Sequence, residues 1–560
     1  MGKRRLSDKA RTRSCYDHAS EDEACSDNSR ASNYEDTLAR RKTHRKRHKS
    51  SHEAIEFGKR PVNPNSNAIS HSRSSHNIQS PDSIRVALLR WYAGVYASRG
   101  MPWRKLCDPS EGVSGRAQRA YKVWVSEIML QQTQVSTVIP YYTRWMEKFP
   151  TIRDLAAANI DEVNALWKGL GYYSRASRLL AGAQKVVEKY DGKLPDNAKD
   201  MEASIPGIGR YSAGAICSIA YGERVPVLDG NVHRLLSRFL ALHAPPKAKA
   251  TLDVLWAAAT AIVQIEENSM LPHSGNTAVQ RPSMEDAQHP GDINQALIEL
   301  GSTVCKIREP DCGSCPLRAW CRAYAVSNSD VQKQADIEDA CTLCTPLQGD
   351  SEVTSYPIKV ERKKSRDELD VVNVIEWHCN TKPDERWFLL VRRPEGGLLA
   401  GLYEFPTSAN VSKTTSHDAM ARIPNKLLSR LLSSTVPPYN KNRSKSQNDA
   451  LQIKELHFAG DVVHVFSHIK KTYRTQWVVL QGGENLPSFR QDITKQPGKH
   501  VEMSDKEKLM DGGDDELSTP LSAGPVWIKL EDVSNANMGT GVVKVWNLTK
   551  NLWERDISGS

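Results

Sequence analysis

Between Ile205 and Arg234 the chain reads IPGIGRYSAGAICSIAYGERVPVLDGNVHR, and no other stretch limits the fold as much. A Pro-Gly-x-Gly turn stands directly before an apolar run, so the backbone must reverse sharply and then open a helix. Glycines at 207 and 209 allow a close approach to a neighbour. The N–H groups that open the helix near Arg210 lack partners and favour an anion, for which a phosphate is the natural guest. A lone carboxylate, Asp229, opens the next helix, and an Asp at such a boundary is ordinarily a cap.

A second carboxylate, Glu127, lies in WVSEIMLQQTQV, where Trp124, Ile128 and Val135 recur at helical spacing. Two carboxylates in separate apolar helical stretches, one holding a proton and one ionised, also make up the pair that breaks a glycosidic bond. The residue pattern leaves open whether Glu127 is that acid or a solvated helix residue.

Charge does not settle the matter. The chain of 560 residues carries a net +10, but residues 1–60 hold 16 Lys/Arg against 10 Asp/Glu and so account for +6 of it. The basic balance is largely a tail property, and residues 1–79 have almost no apolar period, which predicts disorder. The run Arg40–Lys49 reads as a nuclear import signal or a solvated basic segment. Arg-rich residues at the very start raise a mitochondrial address, against which Glu21, Asp22 and Glu23 count. No apolar run approaches a membrane span, so the chain is expected to be soluble.

From Ser80-Pro-Asp82 the pattern becomes helical, with repeats over 121–136, 138–149, 151–157, 160–168, 174–190, 211–220 and 251–265, and with Asp292–Gly301 after them. Residues 108–119 and 266–290 read as polar insertions. Cys305, Cys312, Cys315 and Cys321 are separated by six, two and five residues. Four thiolates so spaced suit zinc or an iron–sulfur cluster, and spacing does not choose between them. Lys306, Arg308, Arg318 and Arg322 make the same loop basic. Cys341 and Cys344, in the polar stretch 327–368, form half of a zinc site, or are free thiols.

Beyond Leu369 short β runs take over at 371–377, 387–391, 455–465, 472–480 and 526–530. The segment after GLLAGLYEFP, Ser416–Ser434, holds no acidic pair of the kind a NUDIX hydrolase uses to bind metal.

WVSEIMLQQTQV, GLGYYSRA, IPGIGRYSAGAI, VLDGNV and the cysteine quartet together resemble the MutY family of adenine DNA glycosylases, closely over 82–326 and more loosely over 369–550. The resemblance implies a multidomain chain. Its parts are a disordered tail (1–79), an all-α helix-hairpin-helix glycosylase domain with a 4Fe–4S cluster loop (80–326, loop 305–321), a linker (327–368) and an α+β NUDIX-like domain (369–556).

The implied activity is monofunctional removal of adenine paired with 8-oxoguanine or guanine in double-stranded DNA, during base excision repair. Glu127 and Asp229 would be catalytic, with Tyr211 and Asn231 holding Asp229. Trp103, Arg104, Leu130, Val135, Gln295 and Ile298 would line the adenine pocket. Gln132 and Tyr172 would wedge the duplex, where an aromatic ring restacks the gap left by a flipped base. Pro206, Gly207, Ile208 and Gly209 would grip a phosphate, with a monovalent cation at the hairpin, and Phe466, Ser467 and His468 would read 8-oxoguanine.

The quartet would hold the 4Fe–4S cluster. Animal relatives carry a linker zinc on three cysteines and a histidine; here Cys341 and Cys344 have counterparts, His76 or His71 is a candidate third ligand, and the fourth is unassigned. The implied protein is a nuclear monomer, with repair or replication proteins meeting its linker and tails. Two rivals share these motifs. An endonuclease III-like glycosylase/lyase has a lysine where Tyr211 stands, and a non-catalytic iron–sulfur DNA-binding protein would be expected to lose Glu127 or Asp229.

Overall fold

The computed structural model describes residues 71–106, 108, 110–265, 289–328, 341–347, 352–360, 364–379, 385–394, 399–439, 450–466, 468–490 and 523–558. The chain divides into two compact units, one of 1–96 with 224–358 and the other of 97–223 with 359–560. The helical stretch expected at 80–326 therefore contributes to both.

The helices in chain order are α1 (Pro81–Val95), α2 (Val113–Leu130), α3 (Val135–Lys148), α4 (Ile152–Ala157), α5 (Ile160–Trp167), α6 (Ser174–Tyr190), α7 (Ala198–Ser204), α8 (Arg210–Ile216), α9 (Gly230–Phe239), α10 (Lys249–Val263), α11 (Pro290–Thr303) and α12 (Arg322–Ser327). Side chains written into the sequence start them. Thr151 with Asp154 and Asn159 with Glu162 form capping boxes at α4 and α5, Asn197 caps α7, and prolines open α1 and α11.

Two expectations need correction. Residues 108–119 are not merely a polar insertion, because α2 begins at Val113. Its first turns face solvent and so lack an apolar period, and Gln118 and Arg119 donate to the carbonyls of Pro150 and Lys105. The tail does not run unstructured to 79: Arg73–His76 forms a 3-10 turn whose His76 is buried. The linker is partly built into the fold, because Cys341 N–H donates to His71 O at 2.8 Å and Thr345 N–H to His243 O at 2.8 Å.

In the unit of 97–223, α2 packs against α3, α6 and α8. Trp124, Trp145 and Trp167 are fully buried there. Trp145 meets Trp167 edge to face at 5.6 Å and donates its indole N–H to the Tyr121 hydroxyl, which donates to Phe149 O. Gly182 on α6 is what allows Trp124 this position. A Cβ there would lie 2.8 Å from two Trp124 ring atoms and 3.1 Å from the Pro206 carbonyl oxygen.

The same unit contains a seven-stranded sheet: β1 (Arg366–His378), β2 (Arg386–Arg392), β3 (Tyr403–Glu404), β4 (Thr407–Ser408), β5 (Gln452–Phe466), β6 (Ile469–Gln481) and β7 (Ala523–Lys529). The main order is β3-β2-β1-β6-β5, with β1 and β6 parallel from Arg366↔Ile469 to His378↔Gln481. Side chains alternate across the pleat, so both faces of β1 are covered. Ile375 and Trp377 pack with Leu428 and Leu431 of α14 (Ile423–Leu431), which follows α13 (His417–Ala421). Val372 and Val374 pack with Trp546 of α16 (Thr540–Ser558), which follows α15 (Leu530–Val533). Among the described residues no helix is long and apolar enough to cross a membrane.

Gly182→Ala is expected to lower stability by about 1–3 kcal/mol through overpacking against Trp124, read as a fall in the thermal midpoint. An unchanged midpoint would show that the α2–α6 contact has slack.

Candidate active site and metal-binding residues

Glu127 sits on α2 between buried Ser126 and Ile128, and is itself half-buried. Tyr211, the second residue of α8, donates its hydroxyl to Glu127 Oε2 at 2.7 Å. The turn before α8 makes that contact reproducible. Ile208 is buried and anchors it, Gly207 takes φ +82°, and Ile208 N–H closes on Ile205 O at 3.2 Å. Pro206 and Gly207 are exposed, which leaves the turn's outer backbone open. Gln132 and Tyr172, both exposed, have left-handed backbones with φ +56° and +49°. For non-glycine residues such conformations persist only where surrounding structure enforces them.

Asp229 belongs to the other unit. The cap and the chemical candidate are one residue: Oδ1 accepts from Val232 N–H at 2.7 Å, and Oδ2 from Asn231 Nδ2 at 2.8 Å. Burial pushes its carboxyl above the usual range, opposed by these two donors and by the Arg234 charge. Arg234 donates to Asn231 Oδ1, Gly301 O and Cys305 O. Gly301 is needed for close packing, since a Cβ there would fall 2.7 Å from Asn231 O. The sequence reading assigned Tyr211 and Asn231 both to Asp229; the structure gives Asn231 to Asp229 and puts the Tyr211 hydroxyl on Glu127.

Trp103 packs edge-on to Tyr142 at 5.0 Å, beside Arg104, whose N–H closes a turn onto Met101 O. Leu130 ends α2 and Val135 begins α3. Gln295 and Ile298 lie on α11 in the other unit; Gln295 is buried, with Nε2 3.3 Å from Asp292 Oδ1. At the end of β5, half-buried Phe466 stands edge-on to His464 at 4.5 Å. Ser467 lies outside the described residues. His468 is exposed, and its carbonyl accepts from Arg366 N–H at 2.9 Å.

Cys305, Cys312, Cys315 and Cys321 line one cavity with Leu235 and Phe239 of α9. Arg238 donates to Cys305 Sγ at 3.3 Å and to the carbonyls of Cys305, Lys306 and Ile307. Burial pushes the thiols of Cys315 and Cys321 up to about 12 and about 11, so they ionise only against a bound cation. Four thiols around one cavity fit a metal group. Arg234 and Arg238 escaped the sequence reading, although two arginines four apart on a helix with a strong apolar face were a usable signal.

A second donor set is tighter. One ligand atom each from His71, His76, Cys341 and Cys344 lies within 4.8 Å of the others. The expectation left His71 and His76 as alternatives and the fourth ligand unassigned; the structure supplies both histidines. His76 Nδ1 is 3.0 Å from Leu240 O, a contact that makes Nδ1 the protonated nitrogen and turns the Nε2 lone pair toward the sulfurs, 3.3 and 3.4 Å away. Burial lowers the His76 pKa to about 4, which keeps the imidazole in its neutral, metal-ligating form. This is a Cys/His site able to hold a metal ion. Among the described residues no other group of such donors closes to that spacing.

A family model described as "HhH-GPD superfamily base excision DNA repair protein" matches residues 125–258. The chain is 40% identical over 414 residues to the adenine DNA glycosylase of Rattus norvegicus, covering 71% of this chain and 71% of that protein. It is 38% identical over 417 residues to the Homo sapiens adenine DNA glycosylase, covering 71% and 67%. With the Schizosaccharomyces pombe adenine DNA glycosylase the identity is 34% over 409 residues, covering 70% and 80%. The stretch that carries Glu127, the glycine turn and Asp229 falls inside the matched family region, and the chain belongs to the adenine DNA glycosylase family.

Proposed function

We propose that this protein hydrolyses the N-glycosidic bond of adenine opposite 8-oxoguanine or guanine in duplex DNA, leaving the strand uncut. The observation that carries this reading is the Glu127 carboxyl held by the Tyr211 hydroxyl at 2.7 Å, at the position where a lyase would carry its lysine.

The residues that the family resemblance gives to the flipped adenine are Trp103, Arg104, Leu130, Val135, Gln295 and Ile298, with Glu127 and Asp229 as the two acids. Protonated Glu127 gives its proton to adenine N7. The C1′–N9 bond then breaks with its electron pair leaving on adenine, and the sugar becomes oxocarbenium-like. Asp229, an acceptor through both oxygens, stabilises that positive charge while Asn231 keeps it oriented. Water adds to C1′ and yields its proton to the Glu127 carboxylate, which regenerates the acid.

Pro206, Gly207, Ile208 and Gly209, with a monovalent cation, hold the neighbouring phosphate, and Gln132 and Tyr172 wedge the duplex. Phe466, Ser467 and His468 read 8-oxoguanine, Phe466 by stacking and the others by hydrogen bonding. Repair and replication proteins meet the linker and tails, and Arg40–Lys49 directs a nuclear monomer, with the mitochondrion as a second address.

Cys305, Cys312, Cys315 and Cys321 hold a 4Fe–4S cluster that fixes the loop carrying Lys306, Arg308, Arg318 and Arg322 against phosphates and takes no part in the chemistry. The intervals of six, two and five residues, which resemble the family's cluster loop, support the cluster over zinc. Zinc belongs on His71, His76, Cys341 and Cys344, whose two nitrogens and two sulfurs suit its tetrahedral preference.

Asp229→Asn and Glu127→Gln are each expected to slow adenine release by at least about 10²-fold while still retarding an 8-oxoguanine:adenine duplex in a gel. Near-normal release from either variant would remove that residue from the mechanism. Product strands from the wild type should stay intact until heated in alkali, and a protein–DNA adduct trapped by borohydride would instead establish lyase chemistry. Metal analysis should find about one zinc per chain, lost in both His76→Ser and Cys344→Ser; undiminished zinc in these variants would place it elsewhere.

A further inference from the structure

Arg175, the second residue of α6, is buried at 7% exposure and has no carboxylate partner among the described residues. Its guanidinium collects backbone oxygens from two separate segments. Nη1 donates to the carbonyls of Ile128 at 2.9 Å, Met129 at 3.0 Å and Gln131. Nη2 donates to Leu170 O at 3.3 Å and Gly171 O at 3.1 Å, and Nε reaches Tyr172 O at 3.4 Å. The planar group also faces the Trp167 and Tyr172 rings at 5.3 and 5.4 Å.

These oxygens flank the two strained residues. Gln131 O belongs to the peptide that leads into Gln132, while Gly171 O and Tyr172 O lie on either side of Tyr172. Burial lowers the Arg175 pKa to about 10, which still leaves it charged at neutral pH.

We propose that Arg175 is a positioning residue that ties the Gln131–Thr133 and Gly171–Tyr172 segments into one rigid wedge, so that Gln132 and Tyr172 enter the duplex together. The inference rests on the wedge role given to those two residues above. It requires arginine in particular: five donors in a planar fork span both segments, whereas a lysine ammonium is a compact point charge with three.

The test uses full-length Arg175→Lys and single-turnover excision on two duplexes. In one the adenine is stacked opposite guanine; in the other it is already unstacked in a single-nucleotide bulge. Excision of the stacked adenine should fall by roughly a hundredfold, as expected for a misplaced positioning group, while the bulged adenine is released at nearly the wild-type rate. Equal losses on both duplexes, or none on either, overturn the proposal.

Gln132→Ala and Tyr172→Ala, measured alongside, separate the two layers of the argument. If they excise stacked adenine normally, the wedge reading fails and the positioning role falls with it. If they are slow while Arg175→Lys is not, only the positioning role fails. Should Arg175→Lys not fold, hydrogen exchange in Tyr172→Ala decides instead. Removing that ring from the guanidinium should speed amide exchange at Gln132 and Thr133 in the other segment, and unchanged exchange there overturns the coupling.

Discussion

A buried guanidinium that gathers backbone carbonyls at the carboxyl end of a helix recurs through this protein, and much of its geometry depends on that device. Helices end with carbonyls that have no partner and with a partial negative charge, and arginine answers both. Arg85 of α1 takes the carbonyls of Ala261, Ile262 and Gln264 at the end of α10. Arg175 does the same at the end of α2. Arg234 takes Gly301 O near the end of α11 and Cys305 O just beyond it, while Arg238 secures Lys306 and Ile307. Removing any of these side chains leaves several buried acceptors unmade, at about 1–3 kcal/mol each.

One consequence is that α9 serves two sites. Its first turn is fixed by Asp229, and one face further along carries Arg234 and Arg238, which hold the start of the cysteine loop. The acid at one end and the cysteine loop beside the other thus share a single helix. Hydrogen bonds from Arg234 to Cys305 O and Asn231 Oδ1, and from Asn231 to Asp229, link the start of the cysteine loop to the acid.

Much of this was legible in the sequence, for local reasons. Helices with an apolar period, their Thr, Asn and Asp caps, the glycine turn and the cysteine spacing are all encoded within a few neighbouring residues. What was hidden is what only folding assembles. The first turns of α2 escaped because a solvated helix face has no apolar rhythm. The fourth donor escaped because His71 and His76 were read as alternatives for one place, and only folding shows that both meet Cys341 and Cys344. Tyr211 is the most instructive case: its helix was expected, but its hydroxyl lies on Glu127, 84 positions earlier, and no spacing rule specifies that partner. The sheet was easier, because its runs at 371–377, 387–391 and 472–480 are short and rich in β-branched and aromatic residues.

The clasp formed by His71, His76, Cys341 and Cys344 joins the first described turn of its unit to nearly the last part of it. During synthesis the two histidines leave the ribosome long before either cysteine, and Arg85 likewise waits for carbonyls beyond residue 260. These particular contacts of the early-made end therefore wait for residues 261–264 and 341–344. A chain halted before Cys344 therefore lacks at least one of the four donors of this clasp.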